Sequence, residues 1–340
     1  MRAIDLRSDT VTKPTPAMRA AMAAAEVGDD VYGEDPTINR LQALAAERVG
    51  MAAAIFVPSG TMANQAALRA LTHHGDVVLA GTDSHIQRHE SGGAAAHAGV
   101  QIQSIGSGGF FSAEEVIAAQ PPPDHHFAPV AAVAVENTHN MAGGRVFPFD
   151  ALRAIASVAR ERGLKLHLDG ARLWNAVVAS GIAARRWTEG FDTVSFCLSK
   201  GLGAPVGSLV CGSAAVIDRI HRVRKMLGGG MRQAGILAAA GVYALEHNIP
   251  RLADDHRNAA RLARGLADLG LAVAPWPETN IVRFSAADAA GFSRALRARG
   301  VLVNALDQHR LRAVTHLDAS AEDIEDALGR IGEALGGQRA

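Results

Sequence analysis

Cysteine is almost missing from this chain of 340 residues; only Cys197 and Cys211 occur. Both sit in apolar, strand-like runs. That suits buried thiols in a reducing cytoplasm rather than a disulfide framework, and their spacing fits no structural zinc site. Surplus charge is missing too. The 34 basic and 34 acidic side chains cancel, so nothing marks a polyanion-binding surface. The Arg-rich stretch 251–266 interleaves Asp and reads as a solvated helix face. A nucleic-acid partner is therefore not expected. No run of about 18 uncharged apolar residues occurs, which argues against a transmembrane helix. The opening MRAIDLRSDTVTKP has no apolar core of the secretory-signal type. Together these absences predict a cytoplasmic protein with no membrane partner. Lysine is the last scarcity: Lys13, Lys165, Lys200 and Lys225 stand against 30 arginines.

What is present is an ordinary globular composition, 48% hydrophobic and 20% charged, sufficient for a sizeable core. The length favours one large domain with a smaller companion. Apolar strand-like runs at 54–57, 77–80, 100–104, 130–136, 164–169, 193–198 and 208–211 alternate with helical patterns at 61–73, 113–119, 149–162 and 216–226. The alternation predicts an α/β fold with a mainly parallel, seven-stranded sheet flanked by helices. Two helices broken near 248–250 follow. Short strands near 280–284, 301–304 and 312–315 and helices at 287–299 and 321–335 then predict a small α+β unit. The expected division is an arm and helix over 1–50, a large domain over 51–245 and a small C-terminal domain over 246–340. The first 50 residues are a possible structural part of the small domain. No internal repeat is seen.

Ligands of such sheets bind beyond the carboxyl ends of the strands, and two chemistry-bearing residues fall there. Lys200 follows an apolar run and precedes a glycine-rich turn. Desolvation and nearby cations can lower a lysine's pKa and populate the nucleophilic amine, which suits a Schiff-base lysine for pyridoxal phosphate (PLP). A lysine at a strand end can equally be a plain surface residue, and this segment alone leaves both open. Asp169 ends the run HLDGAR and needs a cation or generous hydrogen bonding if buried. A protonated pyridine nitrogen would supply the cation and act as electron sink. A structural ion pair between Asp169 and Arg172 is the other reading. The interval of 31 residues from Asp169 to Lys200 accommodates one helix and a return strand. That places both at one edge of the sheet. The run PSGT at 58–61 opens a helix, where Ser59, Gly60 and Thr61 offer free amides and hydroxyls to a phosphate; an N-cap turn has the same look.

These runs, with DLRSDTVT at 5–12, GDDVYGEDPT at 28–37, ENTHN at 136–140, CLSKGLG at 197–203, RKMLGGGMRQ at 224–233 and THLD at 315–318, give the chain a resemblance to a known group over nearly its whole length. It resembles the low-specificity L-threonine aldolases of the fold-type I, aspartate-aminotransferase-like PLP enzymes. The resemblance implies retro-aldol cleavage of L-threonine, L-allo-threonine and related β-hydroxy amino acids to glycine and an aldehyde. It implies that Lys200 carries PLP, Gly60 and Thr61 hold its phosphate, Asp169 pairs with the ring nitrogen, Arg172 lies near the ring oxygen or the substrate carboxylate, and His85 stacks on the ring. Ser8 and Arg312 would grip the substrate carboxylate, for which a guanidinium fork is suited. His85, or His126 near the hydroxyl, would serve as base; the adjacent His125 makes the second match ambiguous. Lys225 and Arg232 would reach a neighbouring subunit's phosphate and Tyr32 would cross the same interface, in a homotetramer built from dimers with shared sites. His139 is read as ordering a strand end. No ligand cluster demands a metal. A β-eliminating lyase or a racemase on the same scaffold would share Lys200, Asp169 and Arg312, and remains the alternative; a non-catalytic binding protein is disfavoured by the intact residue set.

Overall fold

The computed structural model describes residues 2–336. The chain enters through a two-residue strand, β1 (Ile4–Asp5), and two helices, Pro16–Ala23 and Pro36–Val49. Asp35 caps the second helix through Ile38 N and Pro36 opens it, while Gly50 closes it in the left-handed conformation, as the end preferences of helices require.

The seven apolar runs become one sheet: β2 (Ala53–Val57), β3 (Val77–Gly81), β4 (Gln101–Ile105), β5 (Val130–Glu136), β6 (Lys165–Asp169), β7 (Thr193–Cys197) and β8 (Ser208–Gly212). Their order is β2-β8-β7-β6-β5-β3-β4. Strands β3 to β7 are mutually parallel, and β8 runs antiparallel to both β7 and β2. Every residue of β3, β7 and β8 is buried, because helices cover both faces; this is why these strands read as unbroken apolar runs. The edge strand β4 carries exposed Gln101, Gln103 and Ser104 instead, which discourages edge-to-edge pairing.

The C-terminal part builds a second core on helix Leu252–Asp268. It comprises β9 (Ile281–Ser285), β10 (Val301–Leu302), β11 (Asn304–Ala305) and β12 (Arg310–Val314), with helices Ala289–Ala298 and Ala321–Gly336. The run at 301–304 splits. Val301 and Leu302 pair in parallel with β1, whereas Asn304 and Ala305 join the antiparallel sheet β11-β12-β9. The N-terminal segment is shared: Ile4 and Leu6 lie in the smaller core, and Met18, Ile38, Leu41 and Val49 lie in the larger one. No helix among the described residues is long and apolar enough to cross a membrane.

Candidate active site

Strands β6 and β7 are parallel neighbours, with Asp169 opposite Ser195. Asp169 thus ends one strand at the same edge from which the chain leaves the next and reaches Lys200. Asp169 is buried, and its oxygens accept from Asn64 Nδ2 at 2.8 Å and Ala171 N at 3.1 Å. Both donors are neutral. No Lys, Arg or His forms an ion pair with it among the described residues. Burial alone would raise its pKa, but the surrounding charge of His85 and Lys200 and the Asn64 amide hold it below the usual carboxylate range.

The lysine turn is fixed by Gly203 N, which donates to Lys200 O at 2.8 Å, with Gly203 at φ 79°, and by Thr12 Oγ1 reaching the same carbonyl. Lys200 Nζ donates to Cys197 Sγ at 3.1 Å. Burial pulls the ammonium pKa down and Arg172 adds to that, yet Cys197 and the Asp9 carboxylate outweigh them, so its pKa lies above the ordinary lysine value. The sequence reading anticipated a lowered value; the larger opposing influence is Cys197, three residues away, and an acidic neighbour from the N-terminal segment, Asp9, adds to it.

That neighbour also holds Arg172. Arg172 Nε and Nη2 donate to the two oxygens of Asp9, each at 2.7 Å, with both side chains buried. Asn280 Nδ2, from the smaller unit, adds a bond at 3.2 Å. Arg312 lies alongside: Nη1 donates to Asn140 Oδ1 at 2.9 Å and Nη2 to Arg7 O at 3.4 Å, next to Ser8. Its Nε is buried without a partner, and it forms no ion pair among the described residues. Burial, with Arg172 close by, lowers its pKa to about 10. A guanidinium left in this state is set to receive an anion.

Helix Gly60–Leu71 begins beyond β2, with Ser59 Oγ accepting from Met62 N at 3.1 Å. Ser59 and Thr61 are exposed. A Cβ on Gly60 would lie 2.8 Å from Cys197 Sγ, so the helix start is seated directly against the lysine strand. One turn on, Asn64 is buried and saturated. Its Nδ2 bonds Asp169 and Glu90, and its Oδ1 takes His167 Nε2 and Ser195 Oγ, both at 3.0 Å. Burial holds His167 neutral, with its pKa down to about 4. His85 opens the short helix His85–Arg88; its backbone N donates to Glu136 at 2.7 Å and its Nδ1 bonds Glu90 at 2.8 Å. His139 is buried beside Glu136, and its Nδ1 accepts from Ala142 N at 3.1 Å.

The structure thus brings together Ser8, Gly60, His85, Asp169, Arg172, Lys200 and Arg312. Ser59 and Thr61 flank Gly60 at the helix start, but His126, Tyr32, Lys225 and Arg232 are not joined to the group. His126 is exposed and bonded to Asp124 at 2.7 Å. Tyr32 is 74% exposed. Lys225 is exposed at the end of helix Ala214–Met226, and Arg232 pairs with Asp29 at 2.9 Å. Sequence reasoning passed over Asp9, Asn64, Glu90 and Asn280. Asp9 lay inside a quoted run. Asn64 and Gln65 were visible as polar residues on the apolar stripe of their helix.

The chain matches the model of the beta-eliminating lyase family over residues 5–289. It is 48% identical over 327 residues to the low-specificity L-threonine aldolase of Escherichia coli (strain K12), covering 95% of this chain and 96% of that one. It is 43% identical to a probable low-specificity L-threonine aldolase 2 of Arabidopsis thaliana, with 96% of each covered. Among solved structures it is similar to the threonine aldolase of Leishmania major, with a TM-score of 0.84 at 20% identity over 97% of this chain and 98% of that one.

Proposed function

The chain belongs to the beta-eliminating lyase family and, within it, to the low-specificity L-threonine aldolases; from that premise we propose that it cleaves L-threonine, L-allo-threonine and related L-β-hydroxy-α-amino acids to glycine and an aldehyde with PLP as cofactor. The observation that carries the reading is the pairing of two charges without a direct ionic partner among the described residues: the buried Asp169 carboxylate, hydrogen-bonded to neutral amides, and the Arg312 guanidinium, with no carboxylate against it. A protonated pyridine nitrogen answers the first and a substrate carboxylate the second.

The residues present fit the cofactor. Asp169 would hold the ring nitrogen, Lys200 the aldehyde carbon, and Ser59, Gly60 and Thr61 at the helix start the phosphate. His85 would lie against the ring, and Arg172 near its oxygen or the substrate carboxylate. When bound, the cofactor supplies an electron sink for the pair released at Cα.

The protein's own contribution is orientation. Arg312, with Ser8 beside it, would fix the substrate carboxylate and so decide which bond at Cα stands perpendicular to the ring. Asp9 keeps Arg172 in place. His85, at the site, and His126, matched to it by sequence from an exposed turn, are the two candidates for the hydroxyl proton, which must leave as the Cα–Cβ bond opens. Lys225, Arg232 and Tyr32, all exposed, fit a surface lent to a neighbouring copy, in a cytoplasmic homotetramer of paired dimers with shared sites that takes threonine to glycine.

The test is release of acetaldehyde and glycine from the two threonine diastereomers, with borohydride trapping and peptide mapping of the cofactor. We expect both products and an adduct on Lys200, and a Lys200→Ala protein that traps none. An adduct on another peptide, or amino-acid turnover without aldehyde, refutes the assignment.

A further inference from the structure

Two buried carboxylates share one amide. Asn64 Nδ2 reaches Asp169 Oδ2 at 2.8 Å and Glu90 Oε1 at 2.7 Å. Glu90 has a fully buried side chain. Its remaining partners are Gln65 Nε2, which is neutral, and His85 Nδ1 at 2.8 Å. Among the described residues His85 is its sole basic partner. A buried carboxylate without a cation costs several kcal/mol. Asp169, next to Glu90, is matched to the cofactor ring under the proposed function, on which this inference rests. That leaves one cation to balance Glu90, the imidazolium of His85.

We propose that Glu90 is a positioning residue that holds His85 as an imidazolium, so that His85 serves the reaction as a hydrogen-bond donor through Nε2 and does not take the hydroxyl proton. The Nδ1 bond fixes the ring, and Nε2 has no protein partner among the described residues. Glu90, Asp169 and Glu136 face His85 from the surrounding elements, and His89 stands at 5.6 Å on its own segment. Burial opposes the charge, but the Glu90 bond leads the opposing influences, with Glu136 and, before a cofactor ring claims it, Asp169 adding to it, and together they raise the His85 pKa. In turnover the hydroxyl proton then passes to water. The Cα–Cβ pair stays on the amino-acid fragment, the aldehyde forms, and His85 keeps its charge throughout.

The experiment is nitrogen-15 NMR of the histidine rings in the purified holoenzyme between pH 5 and 9, with resonances assigned by His85→Asn. Wild-type His85 is expected to be doubly protonated at pH 7.5. In Glu90→Gln its midpoint should fall by about one pH unit or more. That variant should retain the cofactor absorbance, lose kcat by about 10²-fold with KM little changed, and recover in part in Glu90→Asp. A wild-type His85 neutral at pH 7.5 overturns the inference without any variant having to fold, as does an unchanged midpoint in Glu90→Gln. Because the titration needs no turnover, failure of this inference is distinct from failure of the aldolase reading, which absence of aldehyde would show.

Discussion

Replacing Asp9 by Asn should destabilise the protein more than any substitution of a surface ion-pair residue. The carboxylate sits between Arg172, which meets both oxygens at 2.7 Å, and Asn280 at 3.2 Å, and its side chain is completely buried. Removing one partner of a buried pair leaves the other charge uncompensated, a loss of roughly 3–5 kcal/mol. At about 2 °C per kcal/mol for a chain of this size, the melting midpoint should drop by about 6–10 °C at pH 7. Deleting both charges, as Asp9→Leu with Arg172→Met, should cost far less than the two single changes added. The pH dependence has a definite sign. Burial would raise the Asp9 pKa, but Arg172, Lys200 and Asn280 hold it well below the ordinary value. Its contribution is therefore fully present above the unfolded-state pKa of roughly 4. It disappears as acid titrates the folded group. The gap between wild type and Asp9→Asn should be flat from pH 5 to 8 and close below pH 4. Thermal melts of the wild type, Asp9→Asn, Asp9→Leu, Arg172→Met and the double variant across that range suffice. A single-variant loss under about 1 kcal/mol, or additive single and double variants, would show that the pair is not buried as described.

Three further outcomes are expected. Arg312→Ala should raise KM for threonine by about tenfold or more while leaving cofactor bound, as steady-state kinetics and absorbance together would show; unchanged KM removes it from the site. Gly60→Ala should weaken PLP retention, because its Cβ would lie 2.8 Å from Cys197 Sγ, and adding Cys197→Ala should restore it; equal retention in all three proteins contradicts that crowding. Asn64→Leu strips one donor from each of two buried carboxylates, so it should cost about 3 kcal/mol or more in denaturant titration; near-neutral behaviour would mean that water replaces the amide.

The strands of the large sheet were legible because burial on both faces leaves a continuous apolar signature in β3, β7 and β8. Direction leaves none. Ser208–Gly212 reads the same whether it runs parallel or, as it does, antiparallel to its neighbours. Residues 301–304 looked like one strand, since two short pairings in different sheets have no separate pattern. At the site, Lys200 and Asp169 announce themselves by position at strand ends. Asp9 and Asn64 act through partners 163 and 105 positions away, and local sequence holds no trace of such pairings; Glu90 meets His85 only five positions away but also Asn64 at 26. Asn64 and Gln65 were the visible hint, amides where the helix stripe called for apolar groups. The shift of Lys200 was missed for another reason: its largest opposing influence, Cys197, stood three residues away but was read only as a buried thiol, and Asp9 adds to it from a distance.

The short pairing of Ile4 and Asp5 with Val301 and Leu302 bears on how the molecule is made. A nascent chain leaving the ribosome carries its first strand unmatched until some three hundred further residues have been synthesised. Asp9 likewise waits for Arg172 and then Asn280. Such distant closure is slow, so the pocket is completed only after translation has nearly finished. A bulky fusion at the amino terminus should retard maturation more than one at the other end.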